Sequence, residues 1–273
     1  MSDIQSVASM YNNAAEYEDN RLKQTPIHEL EYALTTDLLD NYIQPNSIVL
    51  DLGAGTGIYS EYLIKTKKCK MGLIDISEEE LQIFKKKNPN YQQDTVFVKV
   101  KSATDLTDIK DNSFDNILVF GPLYHLTTNE ERLCVLRHCY RIIKNNGYII
   151  CSYISPHRIY KDLLNEGINK LNDDTFLESL KKGITYHTCE GLTAIQYRCW
   201  PSSAKNEIES LGFKIEKCRS LEGIFSYIPR ELLCHLDNPK VKEKWIEIAK
   251  QTSENEDIIG STLHFSIVGK KCT

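Results

Sequence analysis

The residues of this 273-residue chain best placed to do chemistry begin with Asp51-Leu52-Gly53-Ala54-Gly55-Thr56-Gly57. This run closes an apolar, strand-like stretch from Ser47 to Leu52 and precedes Ile58, Tyr62 and Leu63, which recur at helical spacing. A glycine turn between strand and helix lets backbone approach a ligand and aims N–H groups at its anionic end. The spacing is GxGxG; the dinucleotide pattern GxGxxG needs a glycine where Ile58 stands, which weakens a nicotinamide reading. Asp75 ends the next apolar run about 20 residues on, where a carboxylate can take both hydroxyls of a ribose. The glycines by themselves also suit a plain tight turn. His125, just beyond the fourth apolar run, can exchange a proton near neutral pH, or it orders its loop by bonding to backbone. Tyr124 beside it lines a pocket or simply packs. Tyr11, Tyr17 and Arg21, in a polar N-terminal segment, either close over a ligand or belong to a surface helix. His187-Thr188-Cys189, and Cys134 with His138 and Cys139, lack the four-ligand spacing of a structural zinc site, so no metal is expected. No GxSxG, HExxH or GxxxxGK[ST] pattern occurs.

These residues need elements to position them, and the chain alternates short β-rich runs with longer helical ones from about residue 27 to 155, the pattern of a parallel sheet. Strands are predicted over Ser47 to Leu52, Met71 to Ile76, Thr95 to Val100, Phe114 to Gly121 and Tyr148 to Ile154. The fourth is nearly all apolar, as a central strand buried on both faces should be. Helices are predicted from Pro26 to before Pro45, after Gly57, after the cap Ser77, and from Leu133 to Asn145-Asn146-Gly147. The short basic runs Lys65 to Lys70 and Lys85 to Lys87 then fall at helix ends, where cations favour the dipole. Residues 157 to 200 break the rhythm and read as an insertion: helical pieces near 157 to 170 and 174 to 182, then an aromatic loop. A helix near Ser202 to Leu211, strands at Phe213 to Cys218 and Leu263 to Val268, and helices at Pro229 to Leu236 and Val241 to Gln251 complete the reading. Tyr160, Phe176, Tyr186, Tyr197, Trp200, Phe225, Tyr227 and Trp245 in the inserted parts line a lid over a planar or partly apolar ligand or form the lid's own core.

Composition bounds the function. Hydrophobic residues make up 41% and charged ones 26%, which fits a globular chain with a sizeable core. Lys plus Arg is 33 against 38 for Asp plus Glu; a formal charge of −5 and a pI near 5.9 argue against a nucleic-acid partner. No apolar stretch approaches the roughly 18 residues of a membrane span, and Met1-Ser2-Asp3-Ile4-Gln5 starts no export signal, so no membrane partner and a cytoplasmic location are expected. Nine cysteines without a CxxC pair read as reduced thiols.

Four segments together resemble the class I S-adenosylmethionine-dependent methyltransferases: Val49 to Gly57, Leu73-Ile74-Asp75-Ile76-Ser77, Asn112-Ser113-Phe114-Asp115, and Arg141 to Gly147. Gly121-Pro122-Leu123-Tyr124-His125-Leu126 also looks like a subset of small-molecule methyltransferases. The resemblance implies a doubly wound, Rossmann-like, mostly parallel seven-stranded α/β sheet with an antiparallel last strand and helical lid insertions. It would form a single domain over 1–273: an arm at 1–26, a cofactor half at 27–155, a lid at 157–200 and a C-terminal half at 201–273 with an insertion near 223–260. It implies S-adenosyl-L-methionine as cofactor, with Gly53, Ala54, Gly55 and Gly57 shaping the pocket for its methionine portion and Asp51 holding the ammonium group. Asp75 would hold the ribose, Ile76 pack on adenine, and Phe120 and Gly121 line the sulfonium end. Ser102-Ala103 stands where the family usually has an acid and a small residue, so Ser102 would meet the adenine amino group as a neutral partner, or the contact moves to Asp105. Tyr11 would be the tyrosine of a closing arm, His125 a base for a protonated acceptor, and Tyr124 part of the acceptor pocket. The expected activity is in-line methyl transfer to a small molecule; a methyltransferase of RNA or protein and a non-catalytic binding module are the alternatives.

Overall fold

Five strands run parallel, as the alternation of apolar runs and helices predicts. The computed structural model describes residues 3–166, 172, 174–189, 191–228, 232–233, 236 and 238–273. Its main sheet joins β1 (Ile48–Leu52), β2 (Lys70–Asp75), β3 (Thr95–Val100), β4 (Phe114–Val119), β5 (Ile143–Ile154), β8 (Phe213–Ser220) and β9 (His264–Lys271) in the order β3-β2-β1-β4-β5-β9-β8. β9 is antiparallel to both neighbours, and the other pairings are parallel. Val49, Leu50 and Leu52 of β1 and Ile117, Leu118 and Val119 of β4 are wholly buried because helices cover both faces.

One face packs Leu52, Ile117 and Ile149 against α6 (Asn129–Ile142) and α9 (Pro201–Glu209). The other packs Val49, Met71 and Leu118 against α2 (Pro26–Tyr42), α3 (Ile58–Lys67) and α4 (Glu78–Lys87). α2 starts where Pro26 predicts, after Thr25 as N-cap, and α4 starts after Ser77, whose hydroxyl accepts the Glu80 N–H. The strand order turns back between β1 and β4, so a crevice opens beyond their carboxyl ends.

β5 starts earlier than expected: the chain leaves α6 at Ile142, and Asn145-Asn146-Gly147 lies within the strand, with its regular pairing to β4 resuming at Tyr148. A short helix, α5 (Tyr91–Asp94), precedes β3. The N-terminal arm is a 22-residue helix, α1 (Asp3–Gln24).

The insertion after β5 differs from a purely helical lid. α7 (His157–Glu166) and α8 (Asp174–Lys182) are present, but the expected aromatic loop is an antiparallel hairpin of β6 (Ile184–Cys189) and β7 (Leu192–Tyr197). Its inward positions on β7 are Ala194 and Gln196, one small and one polar, so hydrophobic alternation does not mark the strand. α10 (Pro239–Thr252) and α11 (Glu256–Ile259) build the second insertion, while most of the helix expected at 229 to 236 lies outside the described residues. No helix among the described residues is long and apolar enough to cross a membrane.

Candidate active site

One glycine brings the β1 and β4 turns together, and a second brings α3 against α4. Gly53 has φ +72°, and a Cβ there would stand 2.5 Å from Cδ of Pro122, so only glycine lets the two strand ends meet. Gly57 has φ +76° as the residue capping α3, and a Cβ would fall 2.3 Å from the Phe84 ring. Gly57 does not line the cavity beside it; it sets the approach of α3 to α4, whereas Gly53, Ala54 and Gly55 face the space directly.

Asp75 ends β2 with both carboxylate oxygens engaged: Gly55 N–H and Ser77 N–H donate to it, each at 2.8 Å. Burial pushes its pKa up against the pull of those amides. Asp51, 2% exposed, accepts the Ser60 hydroxyl at 2.7 Å, and burial raises its carboxyl to about 7. The Gly55 amide therefore ties the glycine loop to the acid that follows it.

A cavity of about 770 Å³ opens over this turn. It takes in Ile76, Ser102, Ala103, Phe120 and Gly121, so every expected cofactor residue except Gly57 reaches it. The Ser102 hydroxyl is paired with that of Thr104 at 2.8 Å. Asp105, the alternative partner for adenine, is turned to the surface, held by Thr107 and Lys101, and does not line the cavity.

His125 and Tyr11 meet here from 114 residues apart. The ring is 9% exposed; its Nδ1 lies 2.9 Å from the Ile195 carbonyl and its Nε2 2.8 Å from the Tyr11 hydroxyl. A carbonyl only accepts, so the network puts the proton on Nδ1 and makes Tyr11 the donor to Nε2. Burial pushes the Tyr11 pKa well above its ordinary value and keeps the hydroxyl a donor. His125 thus ties the β4 turn to α1 and β7, and the lone pair that a base would use is taken. Tyr124 also lines the cavity and donates its hydroxyl to the Phe120 carbonyl at 3.0 Å.

Tyr17 and Arg21 of α1 face the same space. Arg21 forks onto Glu31 at 3.2 and 3.4 Å and bonds Glu18 at 3.0 Å. Burial alone would raise Glu31; the Arg21 guanidinium, with His264 and His28, brings it down to about 2 instead. Among the aromatic residues of the insertions, Phe176 and Tyr186 reach the cavity, Trp245 packs with Leu30, Leu34 and Phe225, and Tyr160 and Trp200 lie at the surface.

Sequence reasoning missed Glu80 and the pair Glu222–His264. Glu80 reads as one of three acids favoured at the start of α4, yet Glu78 and Glu79 are exposed while Glu80 is 3% exposed and faces the cavity. Its spacing from Ser77, Leu81 and Phe84 puts it on the inward helix face, which is the signal that was available. Burial pushes its carboxyl well up, with Asp75 and Glu18 adding to the effect. Among the described residues no cluster suited to a metal occurs, and the His187 and Cys189 side chains lie outside them. The seven cysteines with described side chains are free thiols, most of them buried.

Known proteins resemble part of this sequence and share its fold. A family model for a methyltransferase domain matches residues 49–147, from β1 to the start of the regular part of β5. An uncharacterized methyltransferase-like protein of Schizosaccharomyces pombe is 29% identical over 147 residues, 54% of this chain and 52% of the relative. A sarcosine/dimethylglycine N-methyltransferase of Halorhodospira halochloris is 29% identical over 112 residues, 41% of this chain and 39% of the relative. The chain thus spans about half the length, or less, of these curated relatives. A solved S-adenosylmethionine-dependent methyltransferase of Methanosarcina mazei superposes with a TM-score of 0.60 at 20% identity, covering 86% of this chain and 97% of its own, a likeness of fold. Residues 49–147 thus match a methyltransferase domain, and the strand order is that of a fold shared with solved S-adenosylmethionine-dependent methyltransferases.

Proposed function

We propose that this chain, as one methyltransferase domain, transfers a methyl group from S-adenosylmethionine to a small-molecule acceptor. The observation that carries the proposal is the single cavity that starts at the glycine turn and Asp75 and continues beneath α1, α7, α8 and the hairpin. Its 770 Å³ lies within the roughly 300–1,000 Å³ of small-molecule sites. A net charge of −5 favours a small acceptor over a nucleic acid. The relative named for sarcosine and dimethylglycine adds support for a small acceptor.

The residues present fit the cofactor. Gly53 and Gly121 leave a floor without side chains, and Asp75, locked by two amides, keeps lone pairs for ribose hydroxyls. Asp51 offers a carboxyl to the ammonium group, and Ile76, Ser102 and Ala103 line the adenine end. Bound there, S-adenosylmethionine would supply an electrophilic methyl carbon for the lone pair of an acceptor. The chain itself has to hold the acceptor in line and exclude water. Tyr11 and His125 serve this by tying α1 and β7 over the β4 turn.

Calorimetric titration tests the proposal. S-adenosylmethionine and S-adenosylhomocysteine bind and NAD does not, and Asp75→Ala weakens both sulfur nucleotides about 10- to 100-fold, the loss of hydrogen bonds to a charged group. A well-folded protein that binds neither sulfur nucleotide overturns it.

A further inference from the structure

A second histidine at the sheet edge has the arrangement that His125 lacks. Glu222, the second residue after β8, is 0% exposed and carries its own set of donors. Its Oε2 accepts the Thr262 hydroxyl at 2.8 Å and the His264 N–H at 3.2 Å, and its Oε1 lies 2.5 Å from Nδ1 of His264. A buried carboxylate is retained only where donors satisfy it. This assigns the ring proton to Nδ1 and leaves the lone pair on Nε2. Nε2 bonds no described residue, and the ring is part of the wall of the large cavity. A histidine side chain in water prefers the opposite tautomer, so Glu222 imposes the one that leaves Nε2 basic on a ring in the cavity wall.

Topology puts this pair at the reaction end of the fold. Because β9 is antiparallel, its first residue, His264, pairs with Ile154, the last residue of β5. β8 runs parallel to β5, so Glu222 emerges at the same edge. Strands lie about 4.8 Å apart, which sets the tip of β9 roughly 10 Å from that of β4, two strands away, leaving room for one small acceptor between them.

We infer that His264, oriented by Glu222, is the catalytic base that takes the proton of the methyl acceptor; this rests on the methyltransferase reading above. The acceptor is then a molecule whose nucleophilic oxygen or nitrogen carries a proton. That proton passes to Nε2 as the acceptor's lone pair is committed to the new bond, the imidazolium is stabilised by the Glu222 carboxylate, and the proton leaves to solvent with product release. Among the described residues, Glu31 and His28 from α2 interact electrostatically with the ring, and Arg21 from α1 and Arg158 from α7 act in turn on His28 and line the same cavity.

The test uses the whole chain and the variants His264→Asn, Glu222→Gln and His125→Asn, each checked by circular dichroism and by its affinity for S-adenosylhomocysteine. Histidine ring ¹H–¹⁵N spectra of the protein without ligand are expected to show His264 as the Nδ1–H tautomer with unprotonated Nε2 at pH 8, a preference lost in Glu222→Gln. Should Glu222→Gln not fold, Glu222→Asp, which withdraws the carboxylate by one methylene, gives the same readout. In the second arm, radiolabelled S-adenosylmethionine is incubated with the small-molecule fraction of a cell extract. His264→Asn then transfers label about 100-fold more slowly at pH 7, while its affinity for S-adenosylhomocysteine stays within about threefold. A proton on Nε2 at pH 8, or label transfer by His264→Asn at the wild-type rate, overturns the inference. If the extract holds no acceptor, the tautomer alone decides. Wild-type protein that binds no sulfur nucleotide fails the methyltransferase reading, whereas binding with an unaltered His264→Asn rate removes only the base.

Discussion

At Asp51, burial and one hydroxyl donor pull in opposite directions, and burial wins: the carboxyl sits at about 7, with Ser60 as its only side-chain partner among the described residues. In the unfolded chain an aspartate releases its proton near pH 4, about 3.9. Between those values the native state holds a proton that the unfolded state has lost, so this residue's contribution to stability falls as pH rises from about 4 to 7 and is flat above. Asp51→Asn cannot ionise. Its melting temperature relative to wild type is therefore expected to rise between pH 5 and pH 8, by a few degrees for each kcal/mol at about 2–4 °C per kcal/mol in a chain of this size. A constant difference across that range would show that Asp51 is ionised in the native state. The glycine turn and Asp75 were legible in the sequence because their chemistry is local, a turn and the end of the next strand. Glu222 and His264 were not, since 42 residues separate them and only the antiparallel pairing of β8 with β9 brings them to one edge.

Among the elements, the central strands and their helices could be read because burial on both faces writes unbroken apolar runs, as in Ile117-Leu118-Val119. The hairpin could not, because its inward side on β7 carries one small and one polar residue: Ala194 packs on α1, and Gln196 is buried and bonded to Arg198, which in turn reaches Thr185 on β6. Its β-branched and aromatic residues on either side of Gly191 were the remaining signal. Gly57 shows what holds one element to another. Its left-handed φ and the ring of Phe84 both oppose a side chain, so Gly57→Ala adds backbone strain to overpacking of a wholly buried phenylalanine. The expected loss is about 2–4 kcal/mol, measured as a lower urea midpoint at unchanged m-value. Phe84→Leu in the same chain should return part of it, because the two sites share one contact. A loss below about 1 kcal/mol would mean that α3 shifts on the sheet without penalty.

For the molecule as a whole, the cover over the cavity is held from the N-terminal side. Val7 and Met10 of α1 pack on Ala194 of β7, with Ile76 and Leu192 beside them, and Tyr11 adds its bond to His125, whose ring also reaches the Ile195 carbonyl. α1 and the hairpin therefore share one small apolar cluster, and the Tyr11–His125 relay ties both to the β4 turn. Opening any of them exposes the site that the others cover, and the central sheet takes no part in that cluster. Met10 is 1% exposed, so Met10→Asp puts an unpaired charge at its centre, where the carboxylate has to reach water or stay neutral. The expected result is faster amide hydrogen exchange in α1 and in β6 and β7 together, with β1 and β4 still protected, because local opening follows cooperative units of packing. Affinity for S-adenosylhomocysteine should fall about tenfold in the same variant, since binding must then restore the closed cover at a cost of about 1.4 kcal/mol. Faster exchange in α1 alone, with the hairpin and the affinity unchanged, would show that the arm lies on the cover without holding it shut.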